Sequence, residues 1–84
     1  MSLLDITILY FAQTYEITGC KIEKTEIQKN TKVGDLFNQI LTKYPKLKEL
    51  ETKIQIAVNK KIVKKNFVIK EDSEIALLPP IAGG

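Results

Sequence analysis

The chain has 84 residues, 44% of them hydrophobic and 27% charged, with 13 lysines against 10 carboxylates for a net charge of +3. That size and balance fit one soluble domain with a small core and argue against disorder. With no histidine and one cysteine, Cys20, the chain has no material for a His-dependent triad, a zinc site or an internal disulfide. Every cation is a lysine. Without arginine for bidentate base contacts, a nucleic-acid partner is not expected. No run approaches the ~20 apolar residues that span a bilayer, and Met1-Ser2-Leu3-Leu4-Asp5 carries neither a basic stretch nor a long apolar segment. No membrane contact is expected, and the cytoplasm is the expected location.

Asp5–Phe11 opens the chain as a strand. By the period of two, Ile6, Ile8 and Tyr10 share the core face, while Thr7, Leu9 and Phe11 point outward. Leu9 and Phe11 are unusually apolar for that side. Residues 12–20 read as a loop closed by Gly19, with Cys20 a small loop or strand-end residue. A second strand follows at about 21–28, anchored by Ile22 and Ile27, and the short connection suggests a hairpin.

Val33, Leu36, Phe37, Ile40, Leu41 and Tyr44 fall on one stripe of an amphipathic helix. Thr31 is the expected N-cap, and Asp35 places negative charge in the first turn, where the helix dipole favours it. Pro45 ends the helix by pushing Tyr44 out of the α region. Leu47 and Leu50 predict one more short turn over the core edge. Ile54–Asn59 alternates as a third strand, and Asn59-Lys60-Lys61 supplies a turn. Ile62-Val63 is at most a short strand. Lys64-Lys65-Asn66 is polar loop, and Phe67 and Ile69 are expected to plug the core. Glu71-Asp72-Ser73 turns into the last strand, Glu74–Leu78, with Ile75 and Leu77 inward and Ala76 and Leu78 outward.

One full helix over a mixed sheet of four to five strands makes a two-layer α+β domain. A ferredoxin-like fold needs a second helix that this chain has nowhere to place. The compact solution is a β-grasp, with the first and last strands parallel at the sheet centre and the helix crossing over them. The domain is expected over residues 1–78, and residues 79–84 form an extended tail.

That tail, Pro79-Pro80-Ile81-Ala82-Gly83-Gly84, carries the functional signal. Pro79 and Pro80 have fixed φ and no N–H, so they cannot extend a sheet ladder and hold the tail away from it. Gly83 and Gly84 lack Cβ atoms and can thread a narrow pocket. Six residues beyond Leu78 reach at most ~20 Å when extended, enough to enter another protein's active site.

Ile8-Leu9-Tyr10-Phe11-Ala12, Thr31-Lys32-Val33-Gly34-Asp35-Leu36, Ala57-Val58-Asn59 and Ile75-Ala76-Leu77-Leu78 followed by Pro-Pro-Ile-Ala-Gly-Gly stand in the order and spacing of a known family. Together they resemble the small subunit of molybdopterin synthase, a ubiquitin-like sulfur carrier, over nearly the whole chain. The thiamine-pathway carriers share the Gly-Gly and generally lack the diproline. The chain departs from the family at Tyr15, where an arginine is common, and at Asp72-Ser73, where Gly-Asp is usual.

The resemblance implies that a separate enzyme uses ATP to adenylate the Gly84 carboxylate, that sulfur then replaces AMP to leave a thiocarboxylate, and that this sulfur goes to a cyclic pyranopterin monophosphate. The implied partners are the synthase large subunit, in an assembly of two small and two large chains, and the adenylating enzyme. No bound cofactor and no metal are implied, and the chain is not catalytic alone. If the first and last strands pair in parallel, Phe11 and Leu78 lie together on the solvent face at the root of the tail. Ile62 resembles the third member of this partner-binding set. The lysines at 60, 61, 64, 65 and 70 read either as a solvated edge or as steering toward an acidic partner. A ubiquitin-like modifier, joined through Gly84 to target lysines, or a sulfur carrier of another pathway, of the thiamine type, is the main alternative, and a plain interaction domain is the third.

Overall fold

The structure, a computed structural model, describes residues 2–80. The chain runs β1 (Leu3–Tyr10), α1 (Ala12–Thr18), β2 (Ile22–Gln28), β3 (Thr31–Lys32), α2 (Val33–Lys43), a 3-10 helix (Pro45–Leu50), β4 (Gln55–Val58), β5 (Lys61–Val63), β6 (Val68–Ile69) and β7 (Ser73–Leu78). Five strands form one sheet in the order β2-β1-β7-β4-β5, and β3 pairs with β6 apart from it. β1 and β7 are parallel, with Ile8 beside Ile75 and Tyr10 beside Leu77, and the other pairs in the sheet are antiparallel. This is a β-grasp with its first and last strands adjacent and parallel, as expected of the compact solution for one helix and these strands.

Burial follows the two periods. Ile6, Ile8 and Tyr10 of β1 and Ile75 and Leu77 of β7 form one buried cluster with the α2 stripe Val33, Leu36, Phe37, Ile40 and Leu41. Leu47 of the 3-10 helix is fully buried and Leu50 is half-buried, so this turn closes the core edge. Tyr44 caps α2, and Pro45 begins the next helix at a position where a missing N–H costs nothing.

Four expectations are corrected. Residues 12–20 hold a seven-residue helix, α1, rather than a loop. Its threonines and isoleucine have modest helix propensity and it shows no long apolar stripe, so its signal is weak. The Thr14 hydroxyl donates to the Phe11 carbonyl at its start, and Gly19, at φ 72°, ends it by donating its N–H to the Tyr15 carbonyl. Thr31 does not cap α2. It lies in β3, and its hydroxyl donates to the Gln28 carbonyl.

The start of α2 is instead capped by backbone from the loop after β5. Val33 N–H donates to the Phe67 carbonyl at 2.9 Å and Gly34 N–H to the Lys65 carbonyl at 2.8 Å. A Cβ at Gly34 would stand 3.1 Å from that same Lys65 oxygen, so glycine permits the close approach. Phe67 spends its backbone on this contact and leaves its ring 41% exposed, while Ile69 is buried. Ile22 does not anchor β2. It is five residues from Ile27 and therefore on the opposite face, 59% exposed where Ile27 is buried.

Glu23 and Thr25 are the other β2 residues on the helix side. The Glu23 carboxylate accepts from the Tyr10 hydroxyl at 2.7 Å and the Tyr44 hydroxyl at 3.3 Å, and it pairs with Lys43. The Tyr10 and Tyr44 rings meet edge to face at 5.7 Å. This clasp ties the edge strand β2 to the C-terminal end of α2.

Candidate functional site: the root of the tail and the outer sheet face

The face of the sheet opposite α2 has a polar end and an apolar end, and the strand register sets both. Leu9 stands beside Ile22 on β2 and Ala76 on β7, Ala76 beside Ala57 on β4, and Ala57 beside Ile62 on β5. One uncharged, apolar row therefore crosses all five strands. Toward the other end of the face, Thr7 stands beside Lys24 and Glu74, and Asp5 beside Glu26. There the surface is charged.

The chain leaves β7 at the apolar end. Leu78 pairs with Gln55, and Phe11 follows directly on Tyr10, the partner of Leu77, so Phe11 and Leu78 come together at the root of the tail. Phe11 keeps an extended backbone, at φ −112° and ψ 148°, which continues the alternation of β1 and leaves it outward and 46% exposed. The next residue, Ala12, takes φ 47° and turns the chain sharply into α1. Leu78 is half-buried, Pro79 half-buried and Pro80 exposed. Ile62 is 59% exposed, one row back from Leu78 and two strands across, about 10 Å at the usual strand spacing. Ile81, Ala82, Gly83 and Gly84, on which the sequence places the chemistry, lie outside the described residues.

Two residues join this site that the sequence reading does not place there: Ile22, expected in the core, and Tyr15, noted only as a departure from the family's arginine. Ile22 belongs to the apolar row through its pairing with Leu9, and Tyr15 stands 39% exposed on α1 beside it. A register count from a hairpin of known loop length could have found the first. The second depended on recognising α1.

The described residues contain no group of three His, Cys, Asp or Glu side chains that converge on one point. Tyr10, Glu23, Lys43 and Tyr44, all in the clasp on the helix side, have proton affinities shifted from their ordinary values. Burial, followed by the hydrogen bond to Glu23, raises the Tyr10 hydroxyl. Burial works to raise Glu23 as well, but hydrogen bonds from Lys43 and Tyr10, with the Lys43 charge, outweigh it and lower the carboxyl. These groups tie the sheet to the C-terminal end of α2. Lys60, Lys61, Lys64, Lys65 and Lys70 are all exposed. No helix among the described residues is long and apolar enough to cross a membrane.

The model of the family described as "ThiS family" matches residues 8–84. The chain belongs to that family. Within it, the chain is 34% identical to the molybdopterin synthase sulfur carrier subunit of Mycobacterium tuberculosis, over 98% of this chain and 100% of that one. It is also 34% identical to the human protein of the same name, over 98% of this chain and 97% of that one. Among solved structures, a complex of subunits 1 and 2 of the molybdopterin-converting factor from Helicobacter pylori contains a chain 28% identical to this one. That match has a TM-score of 0.65 and covers 96% of this chain and 100% of that one. The fold thus sets an apolar sheet face beside the diproline.

Proposed function

We propose that this chain is the sulfur-carrier subunit of a molybdopterin synthase, and that Gly84 is the group that carries the sulfur. The observation that supports this most is the near full-length identity to named sulfur-carrier subunits, combined with an ending in Pro-Pro-Ile-Ala-Gly-Gly. A carboxylate at neutral pH is a poor electrophile, so it must first be activated. One carboxylate oxygen of Gly84 attacks the α-phosphorus of ATP, pyrophosphate leaves, and an acyl adenylate forms on a separate adenylating enzyme. A sulfur donor at the sulfide level then attacks the acyl carbon, AMP leaves, and a thiocarboxylate remains.

In the synthase large subunit the thiocarboxylate sulfur bonds to a carbon of the cyclic pyranopterin monophosphate as an oxygen substituent leaves that carbon. Water then cleaves the acyl–sulfur bond, which leaves the sulfur on the product and returns Gly84 to a carboxylate. A dithiolene holds two sulfurs, so two deliveries are required per product, which suits an assembly of two small and two large chains. Phe11, Leu78 and Ile62 form the docking face, Pro79 and Pro80 stiffen the exit, and Ile81, Ala82 and Gly83 span the distance to the reacting atom. The partner supplies the acid, base and anion-binding groups. The cytoplasm is the proposed location of this work.

Intact mass of the chain after incubation with an adenylating enzyme, ATP and a sulfide source tests this. The expected result is one oxygen-to-sulfur exchange, abolished by deletion of Gly84. A series of conjugates to other proteins would instead identify a protein modifier, and an unchanged mass would overturn the carrier reading.

A further inference from the structure

Beside the tail root, α1 and the start of β2 enclose an open groove of about 410 Å³, its walls formed by Leu9, Phe11, Tyr15, Lys21 and Ile22 with little polar surface. Of the six large hydrophobic side chains exposed among the described residues, three stand here: Phe11, Tyr15 and Ile22. A soluble chain rarely leaves apolar groups so concentrated without a partner to cover them. Lys21 is the one charged side chain of the wall, and its ammonium lies 5.4 Å from the Tyr15 ring centroid. The aromatic face holds that cation at the groove rim.

We infer that this groove is a second docking pocket, which takes an apolar side chain of the synthase large subunit with a carboxylate next to it to meet Lys21. The inference rests on the sulfur-carrier reading and specifies its interface. Continuity supports it, because Leu9 is shared between the groove and the row that runs through Ala76 beside Leu78. A partner that seals the tail root also reaches the groove. Charge supports the carboxylate, since the only ion at the rim is a cation on a chain of net charge +3. A second copy of this chain fits less well, because a two-fold contact through the groove would bring two Lys21 side chains together.

Calorimetric titration of the purified chain with the recombinant large subunit tests the pocket. Ile22→Glu and Lys21→Glu are each expected to weaken binding about tenfold, as loss of a central anchor does. The Lys21→Glu loss should shrink as salt is raised. Leu3→Glu is the control: Leu3 is 57% exposed and shares the parity of Leu9 at the far end of β1, and its variant should bind normally. Ile22→Thr, which keeps a β-branched side chain on the strand, replaces Ile22→Glu if the latter fails to fold.

Binding by the Ile22 and Lys21 variants equal to the parent, while Phe11→Ala and Leu78→Lys bind weakly, overturns the pocket and leaves the carrier reading standing. Parent-like binding by all four variants overturns the pocket and the Phe11 and Leu78 docking face together, whereas a parent chain that does not bind the large subunit overturns the carrier reading.

Discussion

Asn59 shows how much one residue can hold. Its backbone takes φ 50° and that of Lys60 φ 73°, so the two form the tight connection between β4 and β5 in which both central residues are left-handed. Asparagine tolerates that conformation better than other residues with a Cβ. Its side chain also extends the sheet: Oδ1 accepts from Glu74 N–H at 2.9 Å, beside the backbone N–H of Asn59, which donates to the Glu74 carbonyl at 2.8 Å. Asn59→Ala loses both the tolerance and the side-chain bond, and is expected to cost about 2 kcal/mol. Asn59→Gly loses only the bond, and about 1 kcal/mol. Urea denaturation of both variants checks this, and equal losses would show that the backbone conformation contributes nothing.

At the scale of elements, β2 is the edge strand most open to unwanted pairing, and it carries an inward-facing charge at Glu23. The clasp with Tyr10, Tyr44 and Lys43 turns that charge into a tie between sheet and helix, and it makes stability depend on pH at both ends. Because the folded chain holds Glu23 below its ordinary value, its contribution is complete above about pH 4.3 and is lost as the pH falls through the lower folded value. Tyr10 has the opposite sign. Its hydroxyl is raised, so its contribution is complete below about pH 10 and is lost as the pH rises beyond that. Glu23→Gln keeps an acceptor for Tyr10 and removes the charge. Its unfolding midpoint in urea should therefore fall less than the parent's between about pH 7 and pH 3. Parallel acid limbs for the two proteins would contradict the assignment.

For the molecule as a whole, the two faces of the sheet separate the residues that build the core from those proposed to dock a partner. Phe11 and Leu78 are outside the buried cluster that Ile8, Tyr10, Ile75 and Leu77 build from the same strands. Phe11→Ala and Leu78→Lys should accordingly leave the thermal midpoint within a few degrees of the parent, about 1 kcal/mol or less. Affinity for the large subunit should drop by about tenfold or more in each. A fall in midpoint large enough to account for the lost binding would place these residues in the core instead.

Much of this was legible in the chain itself, for reasons that are local. Alternation along Asp5–Phe11 and Glu74–Leu78 assigned inward and outward residues, and the stripe from Val33 to Tyr44 located the helix, because each depends only on the period of one element. The diproline points to an exit from the sheet through backbone chemistry that needs no neighbours, and the glycines lie outside the described residues. Tertiary structure decided what depends on distant residues. The carbonyls of Lys65 and Phe67 displaced Thr31 as the cap of α2, since backbone acceptors brought by a loop satisfy the same N–H groups. The register between β1 and β2 moved Ile22 from the core to the outer row. Gly19 closed a helix that propensity alone would not reveal. The order of strands then set that row beside the chain's exit from β7, and no period within a single strand contains that information.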